Sequence, residues 1–157
     1  MRIEYFQLVD RITALDLKTQ TIHAEAVVPT ASTIFEGHFP DHPLMPGVLL
    51  IECMAQTSGW LLIGHTKFER MPFLAAVKEA KLRTFVTPGQ TLSVSATLTH
   101  EGSGYMITAA SIRCAGKAVC EATMTLRLMA FPTVKLRNSM EELARRIAFP
   151  MEAVPHA

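Results

Sequence analysis

The stretch GHFPDHPLMPGVLLIECMAQ, residues 37–56, decides the fold. Its first half carries two histidines and three prolines; its second half starts an apolar run that continues through TSGWLLIG to Gly64. Pro46 suits the first turn of a helix, where a missing N–H costs no hydrogen bond, and Gly47 follows it. A helix from there to about Gly64 would span on the order of 30 Å at ~1.5 Å per residue. It is apolar on nearly every side, so it needs protein on every side. Residues 48–64 are short for a membrane span and include Glu52, Gln56, Thr57 and Ser58. The reading is therefore no membrane span but a helix buried inside a soluble domain.

The flanking sequence supplies the cover. In TLSVSATLTH (91–100), Leu92, Val94, Ala96 and Leu98 face one way and Ser93, Ser95, Thr97 and Thr99 the other, the period of a half-buried strand. GYMITAASIRC and AVCEATMTLRL read as further strands, divided by turn signals at residues 102–104 and at Gly116-Lys117. PFLAAVKEAKLRTFV (72–86) is β-rich with a charged middle and ends before a Pro88-Gly89 turn. Upstream, TALDLKTQTIHAEAVV reads as a hairpin with Ile22, Ala24, Ala26 and Val28 on its buried face, followed by a polar break over residues 29–33. One long apolar helix plus a run of antiparallel strands has a simple packing solution. It is an α+β hot-dog fold, an antiparallel β-sheet wrapped around a long central α-helix. Near the end, SMEELARRIAF (139–149) predicts an amphipathic helix capped by Ser139. Its stripe of Met140, Leu143, Ala144 and Ile147 should dock on the domain or on a neighbouring subunit, without a catalytic role.

Composition narrows the function classes. With 157 residues, 49% hydrophobic and 18% charged, the chain can build one sizeable core. A net charge of +1 gives no electrostatic case for nucleic acid or an anionic membrane. MRIEYFQLVDRI carries charges where a signal peptide needs an apolar run, which predicts a cytoplasmic protein. Three cysteines, Cys53, Cys114 and Cys120, read as reduced thiols and not as a disulfide framework. Whether Cys114 and Cys120 share a face depends on a strand register that the sequence leaves open.

Glu52 stands where the pattern asks for leucine. An ionised carboxylate in apolar surroundings would cost several kcal/mol, so the protonated form is favoured there. Three readings fit: pairing with a basic strand residue, exposure at the helix edge, or catalysis. Gln56 lies four residues on, so the two share a face and can bond each other or a common water. His38 sits in a loop that prolines hold extended, and a neutral imidazole is a base near neutral pH. Base and protonated acid set apart in this way are what an elimination needs. The open N–H groups at the helix start, beside the bare Gly47, would polarise a carbonyl and stabilise negative charge on it. His38 and His42 have metal-like spacing only on a helix, which Pro40 and Pro43 exclude, so no metal is expected. No cofactor or nucleophile motif is present either.

This stretch resembles the signature of FabZ-type (3R)-3-hydroxyacyl-acyl carrier protein dehydratases, hot-dog enzymes of type II fatty acid synthesis. The resemblance runs more loosely from about Tyr5 to Phe131, through YFQLVDRI, VKEAKLRTFVTPGQTL and GKAVCEATMTL. It divides the chain into a single hot-dog domain, 1–131, and a C-terminal extension, 132–157. The resemblance implies His38 as the catalytic histidine, Glu52 as the catalytic acid and the Gly47 amide as the binder of the thioester carbonyl. It implies acyl carrier protein as partner, delivering a 3-hydroxyacyl-phosphopantetheine thioester, and no cofactor. It also implies homodimers, commonly three to a hexamer, with the histidine of one chain facing the glutamate of the other. Two departures stand out: Asp41 replaces the family's usual glycine, and KLRTFVTPG is less basic than its counterpart often is. Lys78, Lys81 and Arg83 are the candidates for carrier-protein docking. Related dehydratase-isomerases tend to carry Asp in place of Glu52, so Glu52 implies dehydration alone. The alternatives are a hot-dog acyl thioesterase, which usually lacks the G-H-F-P loop, and a non-catalytic acyl-binding hot-dog domain.

Overall fold

Alternation becomes strand wherever it was clean. The computed structural model describes residues 1–154. It forms β1 (Arg11–Asp16), β2 (Thr21–Val27), α1 (Thr33–Gly37), α2 (Gly47–His65), β3 (Arg70–Leu82), β4 (Thr91–Gly102), β5 (Tyr105–Cys114), β6 (Lys117–Ala130) and α3 (Val134–Arg146). Ile22, Ala24 and Ala26 of β2 and Leu92, Val94, Ala96 and Leu98 of β4 all point inward. The strands make one antiparallel sheet in the order β1-β2-β4-β5-β6-β3. It curls around α2, whose sides meet β2, β3, β4, β5 and β6. This is the hot-dog fold.

α2 is long and apolar enough to cross a bilayer, yet 67% of its most apolar window is buried inside the sheet. Two polar side chains within that buried surface have partners. Thr57 Oγ1 donates to the Cys53 carbonyl at 2.9 Å, and Thr108 Oγ1 of β5 donates to Ser58 Oγ at 2.8 Å. Buried hydroxyls without such bonds would each cost on the order of 1–3 kcal/mol.

Three elements differ from the expectation. The stretch read as a polar break runs into the short helix α1, because Ser32 caps it by accepting from the Ile34 N–H. The last helix starts at Val134, capped by Thr133 accepting from Leu136 N–H, and not at Ser139. β3 stops at Leu82, so residues 83–86 cross to the helix start without belonging to the strand. Its pairing with β6 slips twice, between Leu74 and Ala76 and between Lys78 and Lys81, which bends the strand around α2. In the β5–β6 hairpin Cys114 stands opposite Lys117 and Cys120 opposite Ile112, so the two cysteines do not pair.

α3 docks as its stripe predicts. Ala144 and Ile147 are buried, and Met140 and Leu143 pack against the core. Beyond it, Phe149 lies 5.7 Å from Trp60 and edge-on to Phe68 at 5.6 Å. The Ile147 carbonyl accepts from Ile12 N–H at 2.7 Å, which covers part of the β1 edge. At the other edge of the sheet, β3 pairs only with β6 among the described residues.

Candidate active site

His38 ends α1 and opens the proline loop. Its own N–H donates to the Ile34 carbonyl at 2.9 Å, and its carbonyl accepts from Leu44 N–H at 2.9 Å. The imidazole returns the tie: Nδ1 lies 2.9 Å from the Leu44 carbonyl oxygen. A carbonyl only accepts, so Nδ1 carries a proton, and the tautomer of the neutral ring is the one with its lone pair on Nε2. The Phe39 ring stacks on the imidazole at 4.2 Å. Asp41, at the loop tip, adopts φ +59°, the left-handed region where glycine is most at ease and aspartate is better tolerated than most. The departure from glycine therefore falls where it matters, on a residue type that can bear it. His42 is exposed, linked to Phe39 by backbone bonds in both directions, and does not line the His38 cavity.

The same loop delivers the helix start. Met45 N–H donates to Val86 O at 2.8 Å, fixing Pro46 as cap and Gly47 as the first helical residue. Leu49 and Leu50 already donate to Pro46 O. The Gly47 and Val48 N–H groups lie at the open end of the helix, where no intrahelical acceptor exists. A Cβ on Gly47 would overlap the tip of Leu82, so glycine also permits the close approach of β3. His38, Gly47, Leu82, Arg83 and Phe85 line one cavity of about 460 Å³. The imidazole and the start of the helix thus share one cavity.

Glu52 is elsewhere. It is half-buried on the wall of a second cavity of about 320 Å³, flanked by the N-terminal segment, β3 and α3. Gln56 Nε2 donates to Glu52 Oε1 at 3.0 Å and to the Phe6 carbonyl at 2.7 Å, and its Oε1 accepts from Leu8 N–H at 3.0 Å. With both ends of the amide engaged, its orientation is fixed, and it can only donate to Glu52. Gln56 thus engages Oε1 of the carboxylate and leaves Oε2 to the cavity side of the pair. The face-sharing of Glu52 and Gln56 was legible from their spacing. The grip of Gln56 on residues 6 and 8 was not, because nothing local links them. The helix side of this cavity follows the spacing 52, 55, 56, 59, 60, 63, a signal present in the sequence but masked by the all-round apolarity of α2.

Of the three docking candidates, Lys81 and Arg83 share one partner, the Glu121 carboxylate, though they line different cavities. Arg83 sits at the His38 cavity, while Lys81 lines a groove with Ser95 and Thr97. Glu121 holds Arg83 at 2.6 Å and Lys81 at 3.9 Å. The Arg83 hydrogen bond and charge keep the Glu121 carboxyl below its ordinary value. Lys78 lies on β3 opposite Thr123. The partner found for Glu52 is Gln56, not a basic strand residue.

Residues 2–123 match the family model for the FabA-like domain. The 3-hydroxyacyl-[acyl-carrier-protein] dehydratase FabZ of Rickettsia felis is 35% identical over 123 residues, covering 76% of this chain and 83% of that protein. The enzyme of the same name from Fusobacterium nucleatum is 44% identical over 87 residues, covering 55% of this chain and 61% of that protein. Among solved structures, the dehydratase heterocomplex ApeI:P from Xenorhabdus doucetiae superposes with a TM-score of 0.66 at 16% identity, over 86% of this chain and 90% of that one.

Proposed function

Since the chain belongs to the FabA-like family, on its FabZ-type side, we propose that it dehydrates (3R)-3-hydroxyacyl chains carried on acyl carrier protein to trans-2-enoyl thioesters, in type II fatty acid biosynthesis. His38 Nε2 takes the proton beside the thioester. The Gly47 N–H holds the thioester oxygen as it becomes enolate-like. Protonated Glu52 gives its proton to the departing hydroxyl, which leaves as water. No cofactor takes part. Residues 1–131 carry the chemistry and 132–157 are an extension. Free thiols at Cys53, Cys114 and Cys120 fit a cytoplasmic setting.

The observation that carries this reading is the division of the groups between two cavities, His38 with Gly47 in one and Glu52 in the other. A complete site then needs the His38 side of one chain against the Glu52 side of a second. Apolar surface at both openings supports such a homodimer: Val48 and Phe85 are 71% and 80% exposed, and Phe6, Phe73 and Leu74 are exposed at the Glu52 side. A two-fold axis would bring each patch to its complement twice, and the uncovered edge of β3 would find a partner in its copy. Three such dimers would make a hexamer. Arg83, at the rim of the His38 cavity, is the cation best placed for the carrier's phosphopantetheine phosphate, with Lys78 and Lys81 further along the docking surface.

The test is loss of water from a 3-hydroxyacyl thioester on acyl carrier protein, followed as enoyl product. Release of free thiol instead would indicate a thioesterase, and binding without turnover an acyl-binding domain. Mixing inactive His38→Ala chains with inactive Glu52→Gln chains should restore activity, because a mixed dimer holds one intact site. Failure in demonstrated mixed dimers, or an active monomer by light scattering, would reject the shared site.

A further inference from the structure

The family match ends at residue 123, yet the Glu52 cavity is walled in part by residues beyond it. Met140 and Leu143 of α3 line it, opposite a stripe of α2 that runs from Glu52 to Ile63. That stripe is about 16 Å long at ~1.5 Å per residue, the scale of an extended medium-length acyl chain. It is polar only at its Glu52–Gln56 end and continues as Gly59, Trp60 and Ile63. Phe149, packed on Trp60 and Phe68, anchors the segment after α3 against this part of the helix. Arg146 donates to Gln7 Oε1 at 3.1 Å, joining α3 to the N-terminal wall of the same cavity.

Gly59 gives a second, independent observation. Glycine inside a helix is destabilising by roughly 0.5–1 kcal/mol relative to alanine. Close packing does not call for it here, since a Cβ would meet nothing nearer than Pro72 Cγ at 3.6 Å, an ordinary contact. What a side chain at 59 would take is space inside the cavity. The stripe thus keeps open, at its middle, a volume that α3 closes off.

We propose that α3 is the acyl-length gauge of this protein: Met140 and Leu143 form the wall that limits the chain accepted beside Glu52, and Gly59 keeps the path to it open. The inference rests on the dehydratase reading, and the substrate class is a 3-hydroxyacyl thioester of bounded length. In the absence of the α3 wall the cavity would open to solvent on that side and the limit would rise.

The experiment measures kcat/KM for dehydration across 3-hydroxyacyl carrier-protein thioesters of increasing length, in the full chain and in Leu143→Ala, Met140→Ala and Gly59→Ala. Loosening the wall should raise the ratio of long-chain to short-chain kcat/KM by about tenfold, the low end of what one methylene is worth in an apolar pocket. Gly59→Ala should move the ratio the other way by a similar factor while leaving the melting temperature unchanged or higher. A merely structural α3 would lower stability and all lengths together. An unchanged length profile in folded, active variants overturns the proposal. Absence of dehydration in the unaltered chain at every length would instead remove the functional reading, and the gauge with it.

Discussion

Around His38 the chain works with backbone; around Glu52 it works with side chains. The imidazole is held by carbonyl and amide groups of a closed loop, tied to Leu44 in both directions. The carboxyl is held by one amide side chain that also grips residues 6 and 8. The difference follows the chemistry assigned to each. A base needs one tautomer, and a carbonyl acceptor dictates it. The acid proposed at Glu52 must hold and release a proton, and the bond from Gln56 engages only one of its oxygens.

The largest effects should come from the reacting groups themselves. Glu52→Gln and His38→Ala should each cut turnover by at least ~10²-fold, the lower figure for a general acid or base. His42→Ala should leave much of the rate, since His42 is exposed and does not line the His38 cavity. Steady-state kinetics on the purified variants decides this, and near-normal turnover in Glu52→Gln would overturn the mechanism.

Next come the supports, where the two sides should separate. Gln56→Leu deprives the Leu8 N–H of its acceptor, at a cost of about 1–3 kcal/mol for an unpaired buried donor. Denaturant unfolding should show that loss, and turnover should fall because Glu52 loses the donor that steadies its Oε1. On the His38 side, Asp41→Val forces a β-branched residue into φ +59° and should cost about 1–2 kcal/mol, whereas Asp41→Gly should not destabilise. Equal behaviour of Val and Gly at this position would show that the loop angle is not what constrains it.

Much of this was legible in the sequence, for identifiable reasons. β2 and β4 keep a strict period of two, so their buried faces read directly. The extent of α2 followed from Pro46-Gly47 and from the length of the apolar run, which ends at Gly64. β3 was harder, because Ala75-Ala76 and two bulges break its alternation and its end at Leu82 carries no Gly or Pro. The start of α3 was misplaced because Ser139, a good cap, lies inside the helix while the cap in use is Thr133. At the site, residue types and spacing pointed to His38, Gly47, Glu52 and Gln56. The split into two cavities was beyond sequence reasoning from the residues, since it depends on how β3 and the N-terminal segment lie across α2.

The smallest effect expected is none at all, on the neighbour of Glu52. Cys53 is fully buried, its thiol directed at the Leu8 carbonyl, and burial pushes it well above the ordinary thiol value. Burial likewise pushes Cys120 up to about 11. Alkylation of the native protein at pH 8 should therefore modify half-exposed Cys114 first and leave turnover intact. Loss of activity in step with Cys53 labelling would break the contrast between the two faces of the helix. Both thiols are protonated more readily folded than unfolded. Their contribution is complete below the ordinary thiol value and declines as pH rises toward about 11, which thermal melts across that window would register.

The Thr108–Ser58 hydrogen bond has a consequence for direction. A rod that is greasy all the way round has no preferred azimuth inside a greasy sleeve, because the hydrophobic force is not directional. A hydroxyl pair, at 2.8 Å, keys the rod to the sleeve like a pin in a shaft, and the grip of Gln56 on residues 6 and 8 is a second pin on the open side. Six residues back along the same rod is Glu52, so the pins that fix the rotation of α2 also set the bearing on which its one acid points.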